Sequence, residues 1–338
     1  MLSKSPGMRR TQVKTKDFLF IFIVYAVGCF LPGSAILSSE RVFAADYPQK
    51  PITYIVSNAV GGKSDLMVRA ITPFVQERLG VRIIVENKPG VVKIGLNKIW
   101  NSKPDGYTLG ALPLPSPVVT ELTSETEYRS KEFTHIYAWS DASLILHVNT
   151  NGPKDMAEFF RLAKSKTLTG STGAFGSGPH LASLIMAQGL GIKVNWVNYN
   201  SGGESNTALA GGHVDFNVVG ASPQTTSLQR SGRLRPLMVL ADEKDIFLPE
   251  TPTPKDLGYT FKNLPLIEGV AAPKNLPRDR LNRLENAFAE AAKDPRFKKL
   301  AAATDTHIIH LPSKAYRQRV AEAYAATKEF KDLLKSEK

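Results

Sequence analysis

From residue 47 to residue 240 the chain repeats one pattern: a short apolar run, a turn rich in glycine, proline or serine, then a segment with apolar residues on one helical face. Few folds remain open to it. Strand, crossover helix and next strand make a parallel pair, and such sheets are covered on both faces by their helices. Strands are expected at residues 52–56, 81–85, 107–112, 144–148, 166–170, 194–199, 214–219, 234–240 and 269–273. Helices are expected from the GGKSD turn to Leu79, with Pro73 bending or breaking it, and at residues 94–102, 155–164, 179–190, 204–210, 278–292 and 313–333. No repeat of fixed period and no low-complexity tract interrupts the series. At 338 residues the chain is long enough for two domains, because single cores tend to split beyond roughly 250 residues.

Residues 1–45 follow another plan. Lys4, Arg9, Arg10, Lys14 and Lys16 form a basic leader, residues 18–31 (FLFIFIVYAVGCFL) carry no charge, and Val42-Phe43-Ala44 supplies small residues. That order is expected of a signal peptide cleaved after Ala44 or Ala45, since the apolar run is short against the roughly 20 residues a membrane span needs. Ala26-Val27-Gly28-Cys29 loosely resembles a lipoprotein box, with Ala26 where a larger aliphatic residue is usual, and Arg9-Arg10 lacks the apolar pair of a twin-arginine signal. Ordinary secretion is the preferred expectation. Cys29 is the only cysteine, so a mature chain has no disulfide, thiol nucleophile or thiolate metal site. The 43 Lys and Arg against 31 Asp and Glu give +12, and without residues 1–44 the balance is 37 against 29, or +8. Such a surface favours small anions or an acidic partner. Nucleic acid is excluded, as no segment interleaves basic and aromatic residues.

Val60-Gly61-Gly62-Lys63-Ser64-Asp65 resembles the end of a nucleotide-binding P-loop, but the glycine that should begin that motif is Ser57. What survives is the physics of a glycine turn opening a helix. Gly61 and Gly62 let backbone pass close to a ligand, the free N–H groups attract an anion, and Ser64 or Asp65 is expected to cap the helix. The plain alternative is a strand-to-helix connection. The loop 112–117, which contains Ser116, the loop 170–178, and Tyr199-Asn200-Ser201-Gly202-Gly203 make the same offer. In parallel sheets such loops gather at the carboxyl edge, where ligands bind. Two α/β units facing each other would enclose a cleft for a small anion.

Catalysis finds less support. There is no G-x-S-x-G elbow, and an exported serine hydrolase would have to use Ser177 and His180, three residues apart at one helix entrance. His307-Ile308-Ile309-His310 reads as strand alternation with one buried histidine, without a carboxylate at metal-ligand spacing. Asp215 reads as an organiser of nearby backbone N–H groups. No enzyme activity, metal or cofactor is expected.

At these loops the sequence closely resembles the extracytoplasmic solute receptors of tripartite tricarboxylate transporters, the Bug or TctC-like family. The resemblance rests on Tyr47-Pro48-Gln49-Lys50-Pro51-Ile52, Gly61-Gly62-x-Ser64-Asp65, Val85-Glu86-Asn87-Lys88-Pro89-Gly90, Pro104-Asp105-Gly106-Tyr107-Thr108-Leu109, Gly176-Ser177-Gly178-Pro179-His180-Leu181, Gly211-Gly212-His213-Val214-Asp215, and Pro252-Thr253 through Ala272-Pro273, in family order. It implies an α/β fold of the type II periplasmic binding protein kind, with mostly parallel sheets around a ligand cleft. Domain 1 would hold residues 46–148 and 265–338, and domain 2 residues 149–264. It also implies a receptor, expected to be a monomer, that carries a mono-, di- or tricarboxylate to membrane permease subunits; a receptor that signals to a sensor kinase instead is a separate alternative. The candidate ligand-binding residues are Asn58, Gly61, Gly62, Lys63, Ser64, Asp65, Ser116, Thr172, Gly176, Ser177, His180, Tyr199, Asn200, Gly202, Gly203 and Asp215. Asn58, Lys63, the Val91-Val92-Lys93 stretch and Ile267 depart from the family pattern. Glu204 is similar to members near the tricarboxylate end of the family, or serves its own helix N-terminus.

Overall fold

The computed structural model describes residues 47–334 apart from 59 and 89–91. The expected signal peptide with Cys29, and the Pro89-Gly90-Val91 turn, lie outside the described residues. The elements are β1 (Ile52–Val56), α1 (Lys63–Leu79), β2 (Ile83–Asn87), α2 (Val92–Trp100), β3 (Thr108–Ala111), α3 (Ser116–Thr123), β4 (Thr134–Ala142), β5 (Leu144–Asn149), α4 (Met156–Ser165), β6 (Leu168–Thr172), α5 (Gly178–Leu190), β7 (Val194–Asn198), α6 (Gly202–Ala210), β8 (Phe216–Gly220), α7 (Pro223–Arg230), β9 (Leu234–Leu240), β10 (Leu266–Ala272), α8 (Arg278–Lys293), α9 (Pro295–Ala302), β11 (His307–Pro312) and α10 (Ser313–Phe330). They build two sheets. One has six strands in the order β11-β4-β10-β3-β1-β2, and the other has five in the order β7-β6-β8-β5-β9.

Each sheet has a parallel heart. β1 pairs in parallel with β2 and β3, and β6 with β7 and β8, while β10 and β4 in the first sheet and β5 and β9 in the second run antiparallel to their neighbours. The chain passes from the first sheet to the second between β4 and β5 and returns between β9 and β10. The alternation seen in the sequence is therefore the physical cause of the fold: each apolar run is buried between helices, as Ile52, Tyr54 and Val56 are against α1 and α8.

Several differences have identifiable causes. β4 escapes the alternation rule because eight of its nine residues are buried: Trp139 stacks on Phe288 of α8 and His135 packs edge-on against Tyr316 of α10, so both faces are covered. α1 continues through Pro73, whose ring is on the exposed side, while Met67, Val68, Ile71, Val75 and Leu79 stay buried. The C-terminal segment does not belong wholly with the first sheet: Tyr316 and Val320 pack with Leu112 and Ile267, but Ala326 and Leu334 join the core of the second. Neither histidine of β11 is buried: the strand lies at the edge of its sheet and is irregular between Ile308 and Leu311. Among the described residues no helix is long and apolar enough to cross a membrane, and no group of three or more His, Cys, Asp or Glu could hold a metal ion.

Candidate functional site

Parallel pairing brings the turns after β1 and β3 to one edge of the six-stranded sheet, and those after β6, β7 and β8 to one edge of the five-stranded sheet. The two edges meet. Ser116 Oγ accepts the Gly178 N–H at 3.2 Å, and Lys63 Nζ lies 3.5 Å from where a Cβ on Gly220 would sit.

On the six-stranded side, the VGGKSD turn is held by Asp65, which is almost fully buried. Its Oδ2 accepts the N–H of Gly61, itself at φ +80°, and its Oδ1 accepts from Arg69 Nε and Asn87 Nδ2, all at 2.9 Å. Burial pushes the Asp65 carboxyl up, but these donors outweigh it and hold it below the ordinary value. Asn87 Nδ2 also donates to the Asn58 carbonyl at 3.1 Å. The oxygens of Asp65 are thus engaged in shaping the turn. The expected side-chain cap from Ser64 or Asp65 does not form: the N-cap is Gly62, and Ser64 Oγ instead donates to Glu268 Oε1 of β10 at 2.7 Å.

Lys63 is the unusual member. The residue as a whole is partly exposed, yet its ammonium is shut off from solvent and has no hydrogen-bond partner. What is exposed is the rest of the residue, and the enclosed tip carries the charge. Burial drags its pKa down from 10.5 to about 8, against the pull of Glu268 and Asp141. Glu268, 4% exposed, is pushed up from 4.5 to about 8 by burial, against Ser64 and Lys63. A buried ion without a partner costs several kcal/mol.

The five-stranded side is neutral. Ser177 caps α5 by accepting the His180 N–H at 3.3 Å, and His180 Nδ1 accepts the N–H of Gly176, at φ +69°, at 3.1 Å. The proton therefore sits on His180 Nε2, which is buried without a partner, and burial lowers the imidazole pKa to about 4. Ser177 and His180 bond to backbone, not to each other, so they form no nucleophile–base pair. Thr172 Oγ1 is likewise buried and unpartnered. Ser201 caps α6 through the Glu204 N–H at 3.2 Å, while Glu204 Oε2 accepts the Asn200 N–H at 3.1 Å, so the Glu204 charge serves its own helix. Tyr199 N–H reaches the Thr172 carbonyl at 3.4 Å, and Gly203 approaches Gln224 so closely that a Cβ would meet it at 2.7 Å.

Behind these turns runs a buried polar row. Ser171 and Ser205 share a hydrogen bond of 2.8 Å, and Asn217 donates to Asn206, which donates to Thr225, each at 2.9 Å. It ties β6 and β8 to α6 and α7. Asp215 stands at the opposite end of those strands, accepting the Thr169 N–H at 2.8 Å and Lys166 at 2.7 Å. The structure thus gathers Lys63, Ser64, Ser116, Thr172, Gly176, Ser177, His180 and the start of α6 at the facing edges, and leaves Asp215 apart.

Sequence reasoning missed Glu268, and also Asp141 and Asp245, the acidic partners of His307. His307 Nε2 approaches Asp245 Oδ1 at 3.2 Å, and its Nδ1 makes an ion-pair contact with Asp141 Oδ1 at 3.4 Å, without hydrogen-bond alignment. These partners are too distant in sequence for any local pattern to join them. Two cavities contain none of the glycine-turn residues: one of about 170 Å³ beside Met67, Pro223 and Leu300, whose lining is too apolar for an anion, and one of about 350 Å³ beside Lys131 and Arg317.

Two sheets with their carboxyl edges opposed, joined by the β4–β5 and β9–β10 connections, define the two-lobed periplasmic binding protein fold. The sequence model of the tripartite tricarboxylate transporter family receptor, TctC, matches residues 67–334, and the chain belongs to that family. It is 29% identical to the protein BugT of Bordetella pertussis, over 75% of this chain and 78% of that protein. Among solved structures it resembles MatC from Rhodopseudomonas palustris with bound malate, at 23% identity and TM-score 0.75, covering 85% of this chain and 100% of that one. It also resembles an R. palustris protein with adipate, at 20% identity and TM-score 0.77, covering 86% and 98%.

Proposed function

We propose that this chain is a periplasmic receptor, exported by its N-terminal segment, that holds a small carboxylate between its two lobes as a monomer and hands it unchanged to the permease subunits of a tripartite transporter. The observation that carries the reading is the buried, unpartnered ammonium of Lys63 at the meeting of the two edges, because an anion that joins an ion so placed offsets its desolvation cost. The start of α6 at Gly202 and Gly203 adds backbone N–H groups on the other side. That solved family relatives carry malate and adipate agrees with this chemistry. In this reading the lobes correspond to residues 46–148 with most of 265–338, and residues 149–264.

Titration calorimetry of the mature chain against mono-, di- and tricarboxylates tests the proposal, together with mass spectrometry of any ligand released from the purified protein by denaturation. Micromolar or tighter binding of at least one acid is expected. A chain that binds none of them and releases no acid would remove the reading.

A further inference from the structure

Two groups sit at the lobe junction that a simple anion site does not need together. Lys63 offers a buried ammonium with neither a hydrogen bond nor an ion pair. Glu268 offers a buried carboxyl beside it, fixed through Oε1 by Ser64. A lone cation would suffice to attract an anion, and a permanent carboxylate next to it would repel the same anion. Both features are reconciled if the carboxyl is neutral when the anion arrives.

Resting on the carboxylate-receptor reading above, we propose that Lys63 and Glu268 form a proton-taking subsite for a second ligand carboxylate, which pairs with the Lys63 ammonium and accepts a hydrogen bond from protonated Glu268. The proton comes from solvent. In the doubly protonated state the pair carries one positive charge and neutralises one added carboxylate. With a ligand that has only one carboxylate, seated on the N–H groups at the start of α6, the pair faces an apolar tail and has no reason to gain a proton.

The surroundings suit this role. Tyr54 from β1 and Tyr316 from α10 lie near Glu268, and burial raises both phenols well above their ordinary value, so both stay neutral. Asp141 from β4 acts on Lys63 and is in contact with His307 of β11. Gly220, the last residue of β8, and the Leu266 side chain close over the ammonium: a Cβ on Gly220 would meet Leu266 Cδ1 at 2.8 Å and Lys63 Nζ at 3.5 Å, so a ligand reaches Nζ by displacing the end of the flexible Leu266 side chain. Burial brings both members of the pair toward about 8 from opposite sides, so protonation is adjustable near neutral pH.

The test compares adipate with hexanoate, which differ in the second carboxyl, by calorimetry in buffers of different ionisation enthalpy from pH 7 to 9. Adipate is expected to bring up to one more proton with it than hexanoate, with affinity falling as pH rises through about 8, by up to about tenfold per pH unit for each proton linked. In Glu268→Gln that excess should shrink by up to one proton per adipate. Ser64→Ala removes the bond that favours the charged carboxylate, so the uptake should move to higher pH, a check that holds even if the glutamine variant does not fold. Equal proton uptake by both ligands across the range overturns the proposal while leaving the receptor reading intact. Failure of both acids to bind, alongside the wider panel, would overturn the two together.

Discussion

At the edge of the six-stranded sheet, the turn after β1 carries Lys63 and Asp65, with Glu268 across from them on β10. At the edge of the five-stranded sheet, the turn after β6 carries Thr172, Ser177 and a neutral His180, and the one nearby carboxylate, Glu204, is folded onto its own helix. Both edges use the same strand–turn–helix construction, so the difference lies in what the turns carry. The first side responds to charge and proton balance. The second offers hydroxyls and N–H groups whose donor strength is unaffected by pH in the neutral range. A receptor divided this way can grip any carboxylate with the neutral side and discriminate with the charged one.

The comparison breaks most readily at Lys63. Lys63→Met keeps the stem and removes the ammonium, which leaves Glu268 without its cation. Adipate affinity is expected to fall on the order of a hundredfold, while hexanoate stays within a few fold, as measured by calorimetry at pH 7. Equal losses for the two acids would show that the charged side does not discriminate.

The neutral side should fail differently. A Cβ on Gly178 would meet Pro115 Cγ at 2.6 Å and Cδ at 2.7 Å, ring atoms that cannot rotate away. Gly178→Ala therefore has to push the start of α5 from the opposing turn. About a tenfold loss is expected for adipate and hexanoate alike, in line with the usual cost of overpacking. A selective loss of adipate would mean that the two edges are not independent.

The two sides were unequally legible in the sequence. The neutral side is local: Ser177 with His180, and Ser201 with Glu204, are capping pairs three residues apart, within reach of a spacing argument, although Ser177 and His180 read first as a possible hydrolase pair. The strands bearing them were legible as well, because an apolar run ended by glycine leaves few alternatives. The charged side is assembled from residues 63, 64, 141 and 268, and Glu268 lies just before the expected strand 269–273, in the part of β10 that the apolar pattern left out. β4 was hidden for a related reason, since a strand covered on both faces loses the period-two signal. Pattern reports the elements, and only pairing across the sheet reports which side chains face one another.

The smallest expected effect concerns the junction that continues from the charged side. His307 stands between Asp141 on the first sheet and Asp245 in the loop after β9, stacks on Phe247 at 5.0 Å, and is joined nearby by the Arg230–Asp305 pair. Asp141 and Asp245 hold the imidazolium on, raising its pKa from 6.5 to about 9 although burial opposes them. Because the folded value lies above the unfolded one, the stabilisation is complete below pH about 6.5 and is lost as pH rises through about 9. His307→Gln should therefore lower the melting temperature by about 3–5 °C at pH 6, with the gap narrowing by pH 10. A gap of constant size would assign the contribution to stacking on Phe247. A narrowing gap with unchanged adipate selectivity would confine discrimination to Lys63 and Glu268, and altered selectivity would extend the charged side through Asp141 to the opposite lobe.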